Sequence, residues 1–182
     1  QHKSLQAWDS ADELALSYLF DNGLLAANAE NSDAMANITL LNDDFGALAC
    51  AILEREPNAK VTSSGDSWIS QKATRKNLQR NTLTDSIDFR SCLVDLPNSQ
   101  VFVIKVPRSL ALLSWQLAQI KAVASPSAHI IAAAKVNALT PSVFKLFEKY
   151  LGTVTTSLAK KKSRLLFIQN ELNLCQTADK RR

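Results

Sequence analysis

Glycine is scarce in this chain. It occurs four times in 182 residues, at Gly23, Gly46, Gly65 and Gly152, and no two lie close enough to form a Gly-x-Gly loop. A loop that cradles a cofactor phosphate or adenosine needs close backbone approach at several positions, which glycine alone permits. Cysteine is also rare: Cys50, Cys92 and Cys175 are odd in number, far apart and outside any CxxC pair. That pattern argues against a zinc site or a disulfide framework, and the expected compartment is a reducing one, the cytoplasm. The two histidines, His2 and His129, have no metal-ligand spacing to a partner, and no Gly-x-Ser-x-Gly is present, so serine-nucleophile chemistry is unsupported. No apolar run approaches the roughly 18 to 20 residues of a membrane span. The start, Gln1-His2-Lys3-Ser4, lacks a signal-peptide pattern and an initiator Met, and it reads as the start of an excised piece; the end at Lys180-Arg181-Arg182 reads the same way.

What is present is an ordinary folded composition. Apolar residues make up 46% and charged residues 21%, enough for one domain with a substantial core. The net charge of +4 leans towards an anionic partner without demanding one.

Ser10-Ala11-Asp12-Glu13 matches a capping box, and Ala11, Leu14, Ala15, Tyr18 and Leu19 then follow on one helical face up to Gly23. The polar stretch Asn28 to Asn37 reads as a loop. Beyond it, short β-like runs alternate with helical segments. The predicted strands are Ile38 to Leu41, Ala59 to Ser63, Ser86 to Phe89, Val101 to Val106 and His129 to Ala133. The predicted helices are Gly46 to Arg55, Ser67 to Asn81 and Ser109 to Val123, the last with Leu110, Leu113, Leu117 and Ile120 on its apolar face. Such alternation implies parallel βαβ units with helices on both faces. A further amphipathic helix, Pro141 to Leu151 (Val143, Phe147, Tyr150, Leu151), closes at Gly152. Two β-like runs, Thr153 to Leu158 and Arg164 to Ile168, are too close for a helical crossover and predict an antiparallel hairpin. The fold class is therefore α/β, a Rossmann-like seven-stranded sheet of five parallel strands plus a closing antiparallel pair, the sheet of S-adenosylmethionine-dependent methyltransferases. The tail from Glu171 reads as a linker.

The turn Leu40-Leu41-Asn42-Asp43-Asp44-Phe45-Gly46-Ala47-Leu48 joins the first β-type run to a helix, where a nucleotide-binding domain carries its glycine-rich loop. One glycine is present, and the paired aspartates would repel phosphate. The scaffold is kept and the cofactor site is lost. Asp66 follows the second strand at the place of a ribose-binding acid, but the default reading is that Asp66 or Ser67 caps the next helix. Asp43, Asp44 and Lys105-Val106-Pro107 invite comparison with a phosphoacceptor receiver. There, however, Lys-x-Pro follows the fifth strand, whereas here it follows the fourth. Turn formation and helix N-terminal charge compensation are the default for both aspartates.

Several segments, in order along nearly the whole chain, resemble the N-terminal half of RlmG-like members of the RsmC/RlmG family of bacterial ribosomal RNA guanine-N2 methyltransferases. They are Leu5-Gln6-Ala7-Trp8-Asp9, Leu41-Asn42-Asp43-Asp44-Phe45-Gly46-Ala47-Leu48, Gly65-Asp66-Ser67, Ala73-Thr74-Arg75, Ile104-Lys105-Val106-Pro107, Ala111-Leu112-Leu113, Leu146-Phe147-Glu148-Lys149 and Lys161-Lys162-Ser163-Arg164-Leu165. The resemblance implies a two-domain enzyme. Its second half would be the active methyltransferase, with an S-adenosylmethionine loop and an Asn-Pro-Pro-Phe motif after the fourth strand. Its first half would be a degenerate copy that supports the fold and helps bind large-subunit ribosomal RNA. This chain has Lys105-Val106-Pro107 at that strand, and a lysine offers only donors where the motif needs acceptors. The expectation is thus a non-catalytic domain over 1–170, without cofactor or metal of its own, and a linker over 171–182 towards the catalytic half.

Two basic clusters are candidates for RNA contact. Lys72, Arg75, Lys76 and Arg80 fall on one arc of the third predicted helix; the plainer alternative is a solvated outer face. Lys160, Lys161, Lys162 and Arg164 occupy the hairpin tip, and this protruding turn is the stronger candidate, although basic tips also block edge-to-edge pairing. Of the tryptophans, Trp8 is expected to act as a packing staple and Trp115 to be partly buried. Trp68, beside the basic helix, is left as a base-stacking candidate. The rival readings are a purely structural module that never touches RNA, and a domain that binds S-adenosylmethionine through an unorthodox loop over 42–46.

Overall fold

The computed structural model describes residues 8–26, 36–83 and 86–168. The Leu5-Gln6-Ala7 segment, most of the 28–37 loop, Cys175, the linker over 171–182 and its cations Lys180, Arg181 and Arg182 lie outside them.

The chain opens with α1 (Ser10–Asp21). The cap sits one residue earlier than the sequence predicts: Asp9 accepts from the amides of Ala11 and Asp12, and Asp12 reaches back to the Asp9 amide. Aspartate caps as well as serine does, and the competing Ser10–Glu13 spacing fits the same pattern. Ser10 and Glu13 instead turn towards the far end of the chain. The end of α1 meets the expectation, with Gly23 at φ +62° and the Leu24 amide bonded to the Leu19 carbonyl.

Then come β1 (Asn37–Leu41), α2 (Ala47–Arg55), β2 (Lys60–Ser64), α3 (Trp68–Arg80), β3 (Asp88–Arg90), β4 (Val101–Lys105), α4 (Leu110–Val123), β5 (His129–Lys135), a 3-10 turn (Val136–Ala138), α5 (Pro141–Leu151), β6 (Val154–Thr156) and β7 (Ser163–Ile168). The strands form one seven-stranded sheet in the order β3-β2-β1-β4-β5-β7-β6. The first five pair in parallel, and β7 lies antiparallel between β5 and β6. The closing pair is antiparallel as expected, but only β7 runs against the rest, because β6 passes to the outer edge before the hairpin returns. The predicted run Thr153 to Leu158 shrinks to three residues, and Leu158 is exposed.

Alternating side chains sort the core into two layers. Val101 and Val103 of β4 face α1, α2 and α3, together with Ile38, Leu40 and Val61. Phe102 and Ile104 face α4 and α5, where Leu113, Leu117, Ile120, Val143 and Phe147 are fully or almost fully buried. Leu110, expected on that apolar face, is exposed in the first turn of α4, while Gln116 is buried. In a parallel sheet of this order the connections leave β1 and β4 in opposite directions, and a crevice opens between their carboxyl ends.

Candidate functional site

Protein side chains bridge that crevice. Asn42, just past β1, adopts the left-handed conformation (φ 65°). Its amide donates to the Lys105 carbonyl at 2.9 Å and exchanges two hydrogen bonds with Gln116 of α4 at 2.9 and 2.8 Å. Both carboxamides are thereby satisfied by each other across the switch point of the sheet.

The turn that follows is closed upon itself. Asp43 is buried, and its carboxylate accepts from the amides of Leu48 (3.3 Å) and Ala49 (3.0 Å) at the start of α2. A helix N-terminus is the natural seat for an anion, and here the protein supplies that anion itself. Burial pushes the Asp43 carboxyl up to about 6, against the pull of those two amides. Gly46, at φ +72°, lies so close to α3 that a Cβ there would come within 2.4 Å of the Thr74 methyl. The one glycine of the turn therefore serves contact between loop and helix. The expected charge compensation at the helix start is present at Asp43.

Asp66 does not cap α3; Ser67 does, accepting from the Ser70 amide. Asp66 instead takes the Cys92 amide (2.7 Å) and the Cys92 thiol, fixing the loop after β3. These two bonds hold its carboxyl below the usual range, and the thiol bond pushes Cys92 up. Burial raises the Cys50 thiol to about 11, so neither described cysteine is poised as a thiolate. A cavity of about 270 Å³ remains between Asn42, Asp43, Asp66, Ser67, Thr74 and Gln116. Ser64 also lines it, and its buried hydroxyl has no hydrogen-bond partner.

The turn after β4 is closed by charge. Lys105 Nζ lies 2.7 Å from Asp12 Oδ1 and 3.4 Å from Asp9 Oδ1, so the lysine is anchored to the capping box of α1. Burial acts against every member of this triad. It wins at Asp12, which is raised, whereas at Asp9 and Lys105 the hydrogen bonds and opposite charges win, lowering the one and raising the other. Asp43 and Lys105 thus each have their own partners, which is not the shared cation site of a receiver. The Asp9–Asp12 spacing carried the signal for this triad in sequence, hidden by the overlapping Ser10–Glu13 pattern; the partner 93 positions from Asp12 carried none.

The two basic clusters differ in setting. Lys72, Arg75, Lys76 and Arg80 are all exposed on α3. The Lys72 ammonium lies over Trp68 and the Arg75 guanidinium over Phe89. Trp68 is 68% exposed. The hairpin tip does not protrude. Lys161 Nζ binds Glu13 at 2.8 Å, and the Ser10 hydroxyl bonds Ser163 and the Lys161 carbonyl, so the tip is docked on α1. Lys161 and Lys162 carry the turn at φ 50° and 63°, and Arg164 is half-buried. Lys160, Lys161 and Lys162 are all exposed. Trp8 is not an apolar staple: it is half exposed, beside the Glu13 carboxylate. Trp115 is also half exposed, its indole donating to the Cys92 carbonyl.

A seven-stranded sheet with β7 inserted antiparallel, and helices on both faces, is the Rossmann-like fold of methyltransferases. The 16S rRNA methyltransferase RsmC of T. thermophilus, solved with AdoMet and guanosine, superposes with a TM-score of 0.70 at 17% identity, over 93% of this chain and 45% of that one. A magnesium protoporphyrin IX methyltransferase from Synechocystis superposes at 0.63 with 10% identity, over 87% of this chain and 81% of that one. The model of the RLMG N-terminal domain matches residues 1–172, and the chain belongs to that family. Curated relatives named ribosomal RNA large subunit methyltransferase G include one from Alteromonas mediterranea, 41% identical over 92% of this chain, and one from Klebsiella pneumoniae, 44% identical over 91%. The chain spans 44% and 40% of those two proteins, less than half of each.

Proposed function

We propose that this chain is the non-catalytic N-terminal half of an S-adenosylmethionine-dependent methyltransferase acting on a guanine N2 of large-subunit ribosomal RNA in the cytoplasm. Residues 1–170 form the domain, and 171–182 lead to the catalytic half, which holds the cofactor. The domain contributes cationic surface for RNA, with Lys72, Arg75, Lys76 and Arg80 on α3 and Lys160, Lys161, Lys162 and Arg164 at the hairpin, and structural support for its partner half. One observation carries the non-catalytic reading: Asp43 sits on the α2 amides beneath a loop whose single glycine is held against Thr74. Lys105, tied to Asp9 and Asp12, supports it from the other side of the crevice.

Calorimetric titration of the chain with S-adenosylmethionine tests this. The expected result is no binding heat at millimolar ligand. A second reading, cofactor binding through the turn over 42–46, draws on the cavity beside Asp66 and the unpartnered Ser64 hydroxyl. Micromolar binding, lost on Asp66→Ala, would establish that reading and sink ours.

A further inference from the structure

Beyond the two clusters evident in sequence, the fold assembles a third cationic site from residues far apart in the chain. An open cleft of about 750 Å³ runs along the carboxyl ends of β4 and β5. Arg108, from the β4–α4 connection, and Lys135, at the end of β5, line it. Lys162 stands beside Lys135, because the Val136 amide bonds the Lys162 carbonyl at 2.8 Å and Lys135 pairs in register with Ser163. All three are exposed, and among the described residues none is in an ion pair.

The acids nearby do not cancel them. Asp9, on the cleft wall, faces Lys105. Asp44, beyond the end of β1, is two strands and about 10 Å from β5 by ordinary strand spacing; it is one strand from the β4 turn that carries Arg108 but forms no ion pair with it. The β5 side of the cleft is therefore positive, and the exposed amide of Asn137 and the ring of Pro107 also line the cleft.

We infer that Arg108, Lys135 and Lys162 form a phosphate track that holds a single strand of RNA along this cleft. The inference rests on the RNA-binding reading above and locates it. Three exposed cations from three connections, Arg108 and Lys135 lining one open groove and Lys162 next to Lys135 at its rim, suit a phosphodiester backbone, and such contacts set position without reading sequence. The docking of the hairpin on α1 fixes the Lys162 backbone next to Lys135 and gives Lys161 its bond with Glu13.

The test is fluorescence anisotropy of a labelled, mixed-sequence single-stranded RNA against the chain at several salt concentrations. The variants are Arg108→Ala/Lys135→Ala/Lys162→Asn, with Asn chosen because it tolerates the left-handed backbone at 162, and Lys72→Ala/Arg75→Ala/Lys76→Ala/Arg80→Ala. The cleft variant should lose roughly ten- to a hundredfold in affinity at moderate salt, and its log–log salt slope should fall by about 2. An unchanged melting temperature would show that the fold is intact. If the cleft variant keeps the full slope while the α3 variant loses it, the track is wrong and RNA binding belongs to α3. If the unaltered chain does not bind the RNA, the underlying reading fails and the track with it.

Discussion

The turns after β1 and after β4 stand side by side at the same edge of the sheet, and both are closed by carboxylates, but by different physics. After β1, Asp43 satisfies backbone amides and Gly46 fits beneath Thr74, so the closure is made of backbone geometry and packing. After β4, Lys105 is held by Asp9 and Asp12, so the closure is an ion triad between two elements distant in sequence. A turn closed by packing has no room to lose; a turn closed by charge has charge to lose. One fold thus fixes two neighbouring turns by separate means, each with its own weakness.

Gly46→Ala attacks the first closure most directly. It combines the cost of a non-glycine residue in the left-handed region with a clash against a buried side chain, about 3–4 kcal/mol together. Urea denaturation should show that loss, and Thr74→Ser in the same chain should recover part of it by removing the methyl that a Cβ would strike. Full stability in Gly46→Ala would mean that the turn is not packed as described.

Lys105→Ala breaks the second closure by leaving Asp12 buried without its cation. Removing one partner of a buried pair costs about 3 kcal/mol, the lower end of the range because the lysine side chain is 23% exposed. Adding Asp12→Asn to Lys105→Ala should restore much of the loss, since no charge is then stranded. A double variant no better than the single one would show that charge is not what closes this turn.

The first closure also titrates. The Asp43 value near 6 lies above the ordinary carboxylate value, so the folded state binds that proton more tightly than the unfolded chain does. The stability contributed is complete below about pH 4 and is lost as pH rises through 6, an effect on the order of 3 kcal/mol. Asp43→Asn should remove that slope, seen as a smaller change in urea midpoint between pH 4.5 and 7 than in the unaltered chain. Equal slopes in the two proteins would place the titration elsewhere.

Much of the fold was legible in the residues. The runs Ile38 to Leu41 and Val101 to Val106 are apolar and β-branched, bounded by polar turns, and they become central strands within one residue of expectation. Pro141 and Gly152 bracket α5 because one residue suits a first turn and the other a helix end. The site was legible only where its logic is local. An aspartate just before a helix compensates its start, and Asp43 does so. Asn42 with Gln116, Asp66 with Cys92 and Lys105 with Asp12 are pairings across 74, 26 and 93 positions, and no spacing rule reaches them.

Composition and periodicity by themselves determined the α/β class, the strand and helix succession and the absence of a glycine-rich loop, because each depends on neighbours a few residues away. The tertiary structure alone decided which charges are available. Lys161 and Lys162 are adjacent, identical and both exposed, yet one is paired with Glu13 and the other, next to Lys135, has no ion pair among the described residues. Charge is a property of a residue, but its pairing depends on what the fold places within a few ångströms.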